Sequence, residues 1–387
     1  MGFRFGETPF FCFGNPERKK NGEQRINLTK KGRAPIIGLN DKRIRGATAL
    51  STIKDIAAEA GVSVMTVSNV INNNHARVSP ATEQRIREIM AKHNYVPNMA
   101  ARSLISKSSR IIAVLLPIWH VSTASILRDP YAGQLAGYLE EMLREKEYYV
   151  MLCSFENVDQ VLMVQRTWQI DGMILILPHE DTVTRGLIEK AKTPLVVIDR
   201  HYDDLKTLSV CLDDRGGGYQ AAKYLLEKGH RKIGFAAPAI YESSVIRDRF
   251  EGYQAALREY GLKEKQEWLF DNVIQQEGGE TVAETISRMS DRPTAVIATE
   301  DLLACGIIKG CQKRGIQVPQ DLSVVGFDDS MPARLITPGL TTVAQDIREK
   351  ANLSVQMLMR AIEDPSFRDE YRILPVKVKE RQSVQEV

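Results

Sequence analysis

Residues 64–69 have the side-chain types and spacing with which a helix can read DNA bases. Val67 and Val70 recur at helical spacing as an apolar stripe. The side chains that this stripe leaves pointing outward are Val64, Met65, Thr66, Ser68 and Asn69. An asparagine amide can make two hydrogen bonds to an adenine edge, and a valine or methionine side chain can contact a thymine methyl group. The run therefore predicts base recognition, and the alternative is an ordinary helical hairpin whose polar face is only solvated.

A second set of polar side chains lies later in the chain, beside apolar runs that are typical of buried strands. Asp199 and Arg200 follow the end of one such run, Asp301 follows the end of another, and Arg249 lies just inside a predicted helix. Carboxylates accept hydrogen bonds from hydroxyl groups, and a guanidinium donates to them. These residues predict a small-ligand site at the carboxyl ends of parallel strands. The alternative for each is a structural ion pair or a helix cap, above all for Asp301.

The first set requires two short helices joined by a tight turn. The apolar face of the first helix consists of Ile53, Ile56, Ala57 and Ala60. Gly61 suits the turn because it has no side chain to restrict the backbone, and Ser63 suits the N-cap of the second helix. Ser79 and Pro80 predict the start of a third helix, as its cap and its first residue. This layout is typical of a helix-turn-helix, which places its second helix in the DNA major groove.

From Arg110 onward, apolar runs that predict buried strands alternate with amphipathic stretches that predict helices. The predicted strands are Ile111–Leu116, Tyr149–Cys153, Gly172–Leu177, Leu195–Ile198, Lys232–Ala236, Ala295–Ala298 and Leu322–Gly326. The predicted helices lie at about 133–146, 216–228, 246–260, 278–289 and 302–314. Such alternation predicts an α/β body with two doubly wound parallel-sheet subdomains, following an all-α helix-turn-helix domain.

Several runs together resemble the lactose/galactose-repressor (LacI/GalR) family of bacterial transcription regulators. The matching runs are Thr52–Ile71, Val78–Thr82, Tyr95-Val96-Pro97-Asn98 and Ala100-Ala101-Arg102-Ser103-Leu104, and the similarity extends to about Gln382. The resemblance implies a DNA-binding regulator, acting as a repressor, with a periplasmic-binding-protein-like body that closes on a small molecule. It also implies a homodimer on double-stranded operator DNA, no enzyme activity, no cofactor or metal, and a cytoplasmic, nucleoid-associated location.

The resemblance assigns roles in DNA binding to residues outside the first set. The short segment after Pro97 would be a hinge helix that folds on operator DNA and lies in the minor groove. Leu104 would insert between base pairs and kink the duplex, whereas the alternative is a plain apolar linker residue. Asn72, Tyr95 and Arg102 would contact phosphate or the minor groove, which sets register rather than sequence.

The resemblance also implies an effector, most often a sugar or sugar derivative. Asp199, Arg249 and Asp301 match family positions that hold the effector, and Tyr131 matches a position that lines the cleft. Arg200, next to Asp199, is included in the same predicted site. Two rival functions use a similar body: a sugar-binding transport protein and a sugar-metabolising enzyme. A transport protein would have no helix-turn-helix. An enzyme would need a poised nucleophile or acid–base pair, which the sequence does not offer.

Charge is distributed unevenly along the 387 residues, although the net charge is only +3. The first fifty residues carry 11 Lys and Arg against 4 Asp and Glu, whereas the body is acidic. A basic N-terminal part and an acidic body fit a DNA-reading head on a ligand-reading body. The five cysteines have no metal-binding spacing, and no apolar run has the length of a transmembrane helix.

These observations predict a division of the chain into four parts. We expect a basic extension over residues 1–50, a helix-turn-helix domain over 51–96, a hinge helix and linker over 97–109, and a body over 110–387. Within the body, one subdomain would comprise about 110–210 and 342–367, and the other about 211–341 and 368–387. The extension is either a disordered basic arm that adds DNA affinity or the product of a start codon placed too early. We favour the second explanation.

Overall fold

The computed structural model describes residues 51–71, 77–95, 108–118, 126–176, 182–238, 240, 244–271 and 273–387. The chain divides into two compact units, one ending at Val96 and one beginning at Pro97. The expected extension over residues 1–50 and the expected hinge helix lie outside the described residues. Each unit is described below by itself.

The first unit contains three short helices, α1 (Ile53–Ala60), α2 (Val64–Ile71) and α3 (Pro80–Lys92). The Thr52 hydroxyl caps α1, and Gly61 ends it with a left-handed backbone at φ 62°. Ser63 Oγ accepts from the Thr66 amide at 3.1 Å, and Ser79 caps α3, so both predicted caps are confirmed. Buried side chains from all three helices form one core, namely Ile56, Ala57, Ala60, Val67, Val70 and Ile86.

The second unit alternates strands and helices, as the sequence predicts. Its strands are β1 (Ile111–Pro117), β2 (Tyr149–Phe155), β3 (Gly172–Leu175), β4 (Leu195–Ile198), β5 (Leu208–Leu212), β6 (Ile233–Ala236), β7 (Leu269–Phe270), β8 (Ala295–Ala298), β9 (Ser323–Asp328), β10 (Thr341–Ala344), β11 (Glu370–Leu374) and β12 (Lys377–Lys379). Its α-helices are α4 (Pro130–Glu145), α5 (Val158–Trp168), α6 (Thr182–Lys190), α7 (Asp214–Glu227), α8 (Ser244–Glu259), α9 (Gln275–Arg288), α10 (Asp301–Gln312), α11 (Met331–Leu335) and α12 (Ile347–Glu363).

The strands form two six-stranded sheets, which define two subdomains. The first sheet is parallel throughout, in the order β11-β5-β4-β3-β1-β2. Its neighbouring residues alternate between two cores: Val114 faces the core that includes α4 and α12, and Leu115 faces the core that includes α5 and α6. Helices on both faces make the sheet doubly wound, so the predicted α/β class is confirmed.

The second sheet has the order β12-β10-β9-β8-β6-β7, and only the β10–β12 pair is antiparallel. Helices α7 and α8 pack on one face, and α9 and α10 on the other. All three subdomain boundaries lie a few residues later than expected. Residues 211–212 belong to the first sheet because they lie in β5, which pairs with β4 and β11. Residues 342–344 belong to the second sheet because β10 pairs with β9, and residues 370–374 belong to the first sheet because β11 pairs with β5.

Candidate DNA interface and effector cleft

The outer face of α2 carries the residues predicted to read bases. Val64 and Met65 are 42% and 70% exposed, while Val67 and Val70 on the opposite side are buried in the core of the unit. Thr66, Ser68 and Asn69 are half-buried. The Thr66 hydroxyl lies 2.9 Å from Ser63 Oγ and so takes part in the helix cap. An exposed methionine at a helix N-terminus is available for an apolar contact in a groove.

The residues predicted to contact phosphate or the minor groove are less completely described. Tyr95 follows α3, is half-buried and packs against the core of the first unit. Its amide donates to the Met90 carbonyl at 2.8 Å, which fixes the chain as it leaves the helix. Asn72, Arg102 and Leu104 lie outside the described residues.

In the second unit, Asp199 and Tyr131 come together around a buried lysine. Asp199 follows β4 with φ 68°, and Tyr131 lies in the first turn of α4. The Tyr131 hydroxyl donates to Asp199 Oδ2, and Lys350 Nζ in α12 donates to Asp199 Oδ1 at 2.6 Å. Lys350 Nζ also lies 3.0 Å from the Tyr131 hydroxyl, and the lysine side chain is 1% exposed. Burial and the Asp199 carboxylate raise the pKa of Tyr131, which keeps the phenol protonated.

The same lysine continues the network toward the second subdomain. Lys350 Nζ donates to Gln345 Oε1 at 2.7 Å, and Gln345 Nε2 donates to Asp328 Oδ1 at 2.6 Å. Gln345 lies in the crossover between β10 and α12, and Asp328 is the last residue of β9. Polar side chains therefore connect the carboxyl ends of strands in both sheets.

Arg249 in α8 forms a second buried ion pair. Its Nε donates to Asp214 Oδ1 at 2.8 Å, its Nη1 donates to the Thr299 carbonyl at 2.6 Å, and its guanidinium lies 3.5 Å from the Phe327 ring centroid. Burial raises the pKa of Asp214 to about 6 even though Arg249 lowers it. The helices can carry this pair because Gly218 lets α7 approach α8. A Cβ on Gly218 would lie 1.9 Å from the Arg249 carbonyl oxygen.

Three further carboxyl groups lie near these pairs and have raised pKa values. Burial raises the pKa of Glu300 to about 7, with Asp129 contributing, and raises the pKa of Asp328 well above its ordinary value. Glu300 Oε1 accepts from the Gln275 amide at 3.0 Å. Asp129 caps α4 through the Ala132 amide. Neutral hydrogen-bond donors, rather than ion-pair partners, thus hold these three groups.

Asp301 and Arg200 are placed differently from Asp199 and Arg249. Asp301 is buried, and its two carboxylate oxygens accept hydrogen bonds from the Ser330 amide and hydroxyl and from the Thr342 hydroxyl, at 2.6–2.9 Å. These bonds tie α10 to β10, which favours the structural alternative for Asp301. Arg200 is half-buried with its guanidinium 5.2 Å from the Tyr202 ring centroid.

Two family models match the chain at the positions that the fold suggests. The model for bacterial regulatory proteins of the lacI family matches residues 52–98, and the model for a periplasmic binding protein-like domain matches residues 222–384. The ribose operon repressor of Haemophilus influenzae is 32% identical over 330 residues, which cover 84% of this chain and 95% of the relative. The chain belongs to the LacI family.

Solved structures of LacI-family proteins have the same fold. The lac repressor dimer bound to operator and the anti-inducer ONPF aligns with a TM-score of 0.77 at 23% identity, covering 87% of this chain and 100% of the other. A LacI-family regulator from Enterococcus faecium with bound ribose aligns with a TM-score of 0.63 at 26% identity, covering 72% and 99%. This LacI-family chain is a DNA-binding transcription regulator under effector control, and not an enzyme. Among the described residues, no helix is long and apolar enough to span a membrane.

Sequence reasoning missed several residues of this LacI-family cleft. Lys350 was not singled out, although its position opposite Asp199 completes the buried pair. Glu300 precedes the predicted Asp301 and Asp214 begins α7, but neither residue belongs to a motif of its own. Asp328 lies two residues beyond the predicted strand Leu322–Gly326 and is the last residue of β9, and this position at a strand end is the signal that marks it as a cleft residue.

Proposed function

We propose that this regulator is a repressor whose operator affinity is set by a sugar or sugar derivative bound between the two subdomains. The observation that carries the proposal is the buried hydrogen-bonded chain from Tyr131 and Asp199 through Lys350 and Gln345 to Asp328. A ligand that inserts hydroxyl groups here would exchange bonds with both sheets at once. It would therefore favour one arrangement of the subdomains over another.

The proposed effector contacts are Tyr131, Asp199, Arg200 and Arg249. Arg249 donates two of its five N–H groups to Asp214 and Thr299, so other N–H groups can donate to a ligand oxygen. We place Asp301 behind this surface as a support, because its oxygens are already engaged, and we assign the corresponding acceptor role to Glu300 and Asp328. A hydroxyl-rich ligand suits this mixture of carboxylates, guanidinium and phenol. The ribose-related names of two relatives agree with this class of ligand.

The proposed DNA contacts are Val64, Met65, Thr66, Ser68 and Asn69 for bases, and Asn72, Tyr95 and Arg102 for phosphate or the minor groove, with Leu104 as the wedge. Exposure of Val64 and Met65 beside a buried Val67 supports the assignment of α2 as the recognition helix. Effector and DNA must then change each other's affinity by the same factor.

We propose a homodimer as the DNA-binding form. Two apolar surfaces of the body support it: the edge strand β2, where Tyr149 and Leu152 are exposed, and the short helix α11, where Met331 and Leu335 are 69% and 74% exposed. A long exposed edge with apolar side chains is a surface that proteins normally cover. The lac repressor structure that aligns with this chain is itself a dimer on operator.

The test measures DNA binding with and without a sugar. A duplex is first selected from random sequences by the purified protein, and its affinity is followed by fluorescence anisotropy while D-ribose is added. We expect ribose to shift the affinity of the wild type, and Arg249→Lys to lose the shift while still binding the duplex. Arg258→Lys, exposed on the same helix, is the matched control and should respond like the wild type.

Two results would contradict the proposal. Failure to select any duplex would remove the regulatory function itself. Selection of a duplex whose affinity does not respond to ribose, cellobiose, galactose or their phosphates would remove the sugar effector.

A further inference from the structure

A cavity of about 550 Å³ lies at the amino ends of the strands of the first sheet. Its lining includes Arg110 and Asp171, which precede β1 and β3, and Leu195 and Leu208, which begin β4 and β5. Asp199 follows the opposite end of β4, so the cavity is separate from the effector cleft. Its volume falls within the range of about 300–1,000 Å³ that is usual for small-molecule sites.

About half of the cavity wall is apolar. Ile188 at the end of α6, Ile362 at the end of α12, and Phe367 in the following turn are half-buried beside Leu195 and the buried Leu208. The apolar part of this concave surface suits the hydrocarbon or aromatic body of a small ligand. A DNA backbone would need only an exposed row of cations and would leave such a concavity unused.

The charged groups around the cavity are mostly positive. Arg110, Lys192, Lys206 and Arg368 line it together with one acid, Asp171. The Asp171 carboxylate is already engaged, because it accepts from the Ser109 amide at 2.9 Å and the Arg110 amide at 3.1 Å. The cavity therefore presents a net positive charge to a ligand.

Lys192 and Lys206 have no bonding partner for their ammonium groups in the part of the chain that the structure describes. Helices α5, α6 and α12 end near the cavity, and cations often donate to carbonyl groups at such ends. Arg368 does so by donating to the Pro365 carbonyl at 2.8 Å. Lys192 and Lys206 are exposed and form neither a hydrogen bond nor an ion pair through their ammonium groups with any described residue.

We propose that this cavity is a second ligand site, which takes a small organic anion with an apolar body. The apolar walls would hold the body, and Lys192 and Lys206 would bind the anionic group, with the Arg110 guanidinium beside them. The site is independent of the cleft and of the effector proposed there. It adjoins residues 108–110, where the described body begins after the linker.

The test uses phenyl phosphate as the probe and the full chain as the protein, with binding measured by calorimetry. Benzyl alcohol and inorganic phosphate serve as probes that carry only the apolar body or only the anion. We expect phenyl phosphate to bind more tightly than either. Lys192→Gln/Lys206→Gln should weaken its binding at least tenfold, whereas Lys263→Gln/Lys377→Gln, which removes two exposed lysines from the other subdomain, should not.

A second variant tests the apolar part of the cavity without changing its charge. Ala191 lines the cavity just after α6, and Ala191→Trp should fill it and abolish phenyl phosphate binding. Binding that is unaffected by both the lysine variant and Ala191→Trp would overturn the proposal. So would a wild type that ignores phenyl phosphate while the lysine variant lowers DNA affinity and reduces its salt dependence, because the lysines would then serve DNA phosphates.

Discussion

Lys350 Nζ lies 2.6 Å from Asp199 Oδ1, and both side chains are more than nine-tenths buried. Asp199 follows β4 and Lys350 lies in α12, and five of the six strands of the second sheet come between them in the sequence. The three donors of the ammonium meet Asp199, Tyr131 and Gln345, so every N–H of the lysine has an acceptor. This pair holds together the part of the cleft that belongs to the first subdomain.

Breaking this pair should strongly destabilise the body. We expect Lys350→Met to lower the free energy of unfolding by about 3–5 kcal/mol, because it leaves the Asp199 carboxylate buried without a cation. Lys350→Met/Asp199→Asn should recover part of that loss. Urea unfolding followed by circular dichroism gives the values. The control is Arg348→Met. Arg348 lies on the same helix as Lys350 and forms an exposed pair with Glu141 of α4, so its loss should cost about 1 kcal/mol or less. Equal losses in the two single variants would contradict the prediction.

Two neighbouring residues of α2 should separate DNA recognition from stability. Met65→Ala should change the affinity for a selected duplex and its base preferences, while the unfolding free energy changes by less than about 0.5 kcal/mol, because the side chain is exposed. Val67→Ala should instead destabilise the first unit by about 2 kcal/mol, because Val67 is buried in its core. Base preferences that stay unchanged in Met65→Ala would remove this residue from the interface.

The buried Glu300 should make the stability of the body depend on pH. Because burial raises its pKa to about 7 from an ordinary value of 4.5, the folded protein binds this proton more tightly than the unfolded chain. Its contribution therefore favours folding at low pH and is lost as the pH rises from about 4.5 through 7. We expect Glu300→Gln to be more stable than the wild type at pH 8, with the difference shrinking toward pH 5. Urea unfolding midpoints of both proteins at pH 8 and pH 5 measure this difference in stability. A difference that grows toward pH 5 would contradict the prediction.

The exposed apolar residues of α11 should contribute to self-association. We expect Leu335→Glu to shift the protein from dimer toward monomer in sedimentation velocity experiments, and to weaken DNA binding because two linked heads bind more tightly than one. Lys263→Gln, an exposed change away from α11, is the control. A Leu335→Glu protein that sediments and binds DNA like the wild type would exclude this surface from the dimer interface.

The elements that the sequence predicted well are those set by local rules. The caps at Ser63 and Ser79 and the turn at Gly61 depend on neighbouring residues, so α1–α3 could be located closely. Strands β5, β7, β10, β11 and β12 were not predicted. The middle of β11 is exposed, and what makes it a strand is its pairing with Leu208–Leu212, far back in the sequence. Distant pairing of this kind leaves no periodic pattern in a single sequence.

The cleft was predicted in part for the same reason. Asp199 and Arg249 could be predicted because Asp199 follows a strand and Arg249 lies in the first part of a helix, at positions where α/β proteins hold ligands. Lys350 could not, because a lysine within an amphipathic helix is normally exposed, and only the distant Asp199 explains its burial. Asp301 was predicted by the same rule, and hydrogen bonds from Ser330 and Thr342 to its oxygens favour the structural alternative that the sequence left open.

The pairing of β11 with β5 has a consequence for how the protein is made. The first unit is a continuous stretch of chain, and Ile86 is the last buried residue of its core, so it can fold as soon as it leaves the ribosome. The first sheet gains its outer strand only when residues 370–374 have been synthesised. A nascent chain thus contains the complete first unit well before the first sheet of the second unit is complete. Any product that stops short of residue 370 would keep the DNA-binding unit and lose control by the effector.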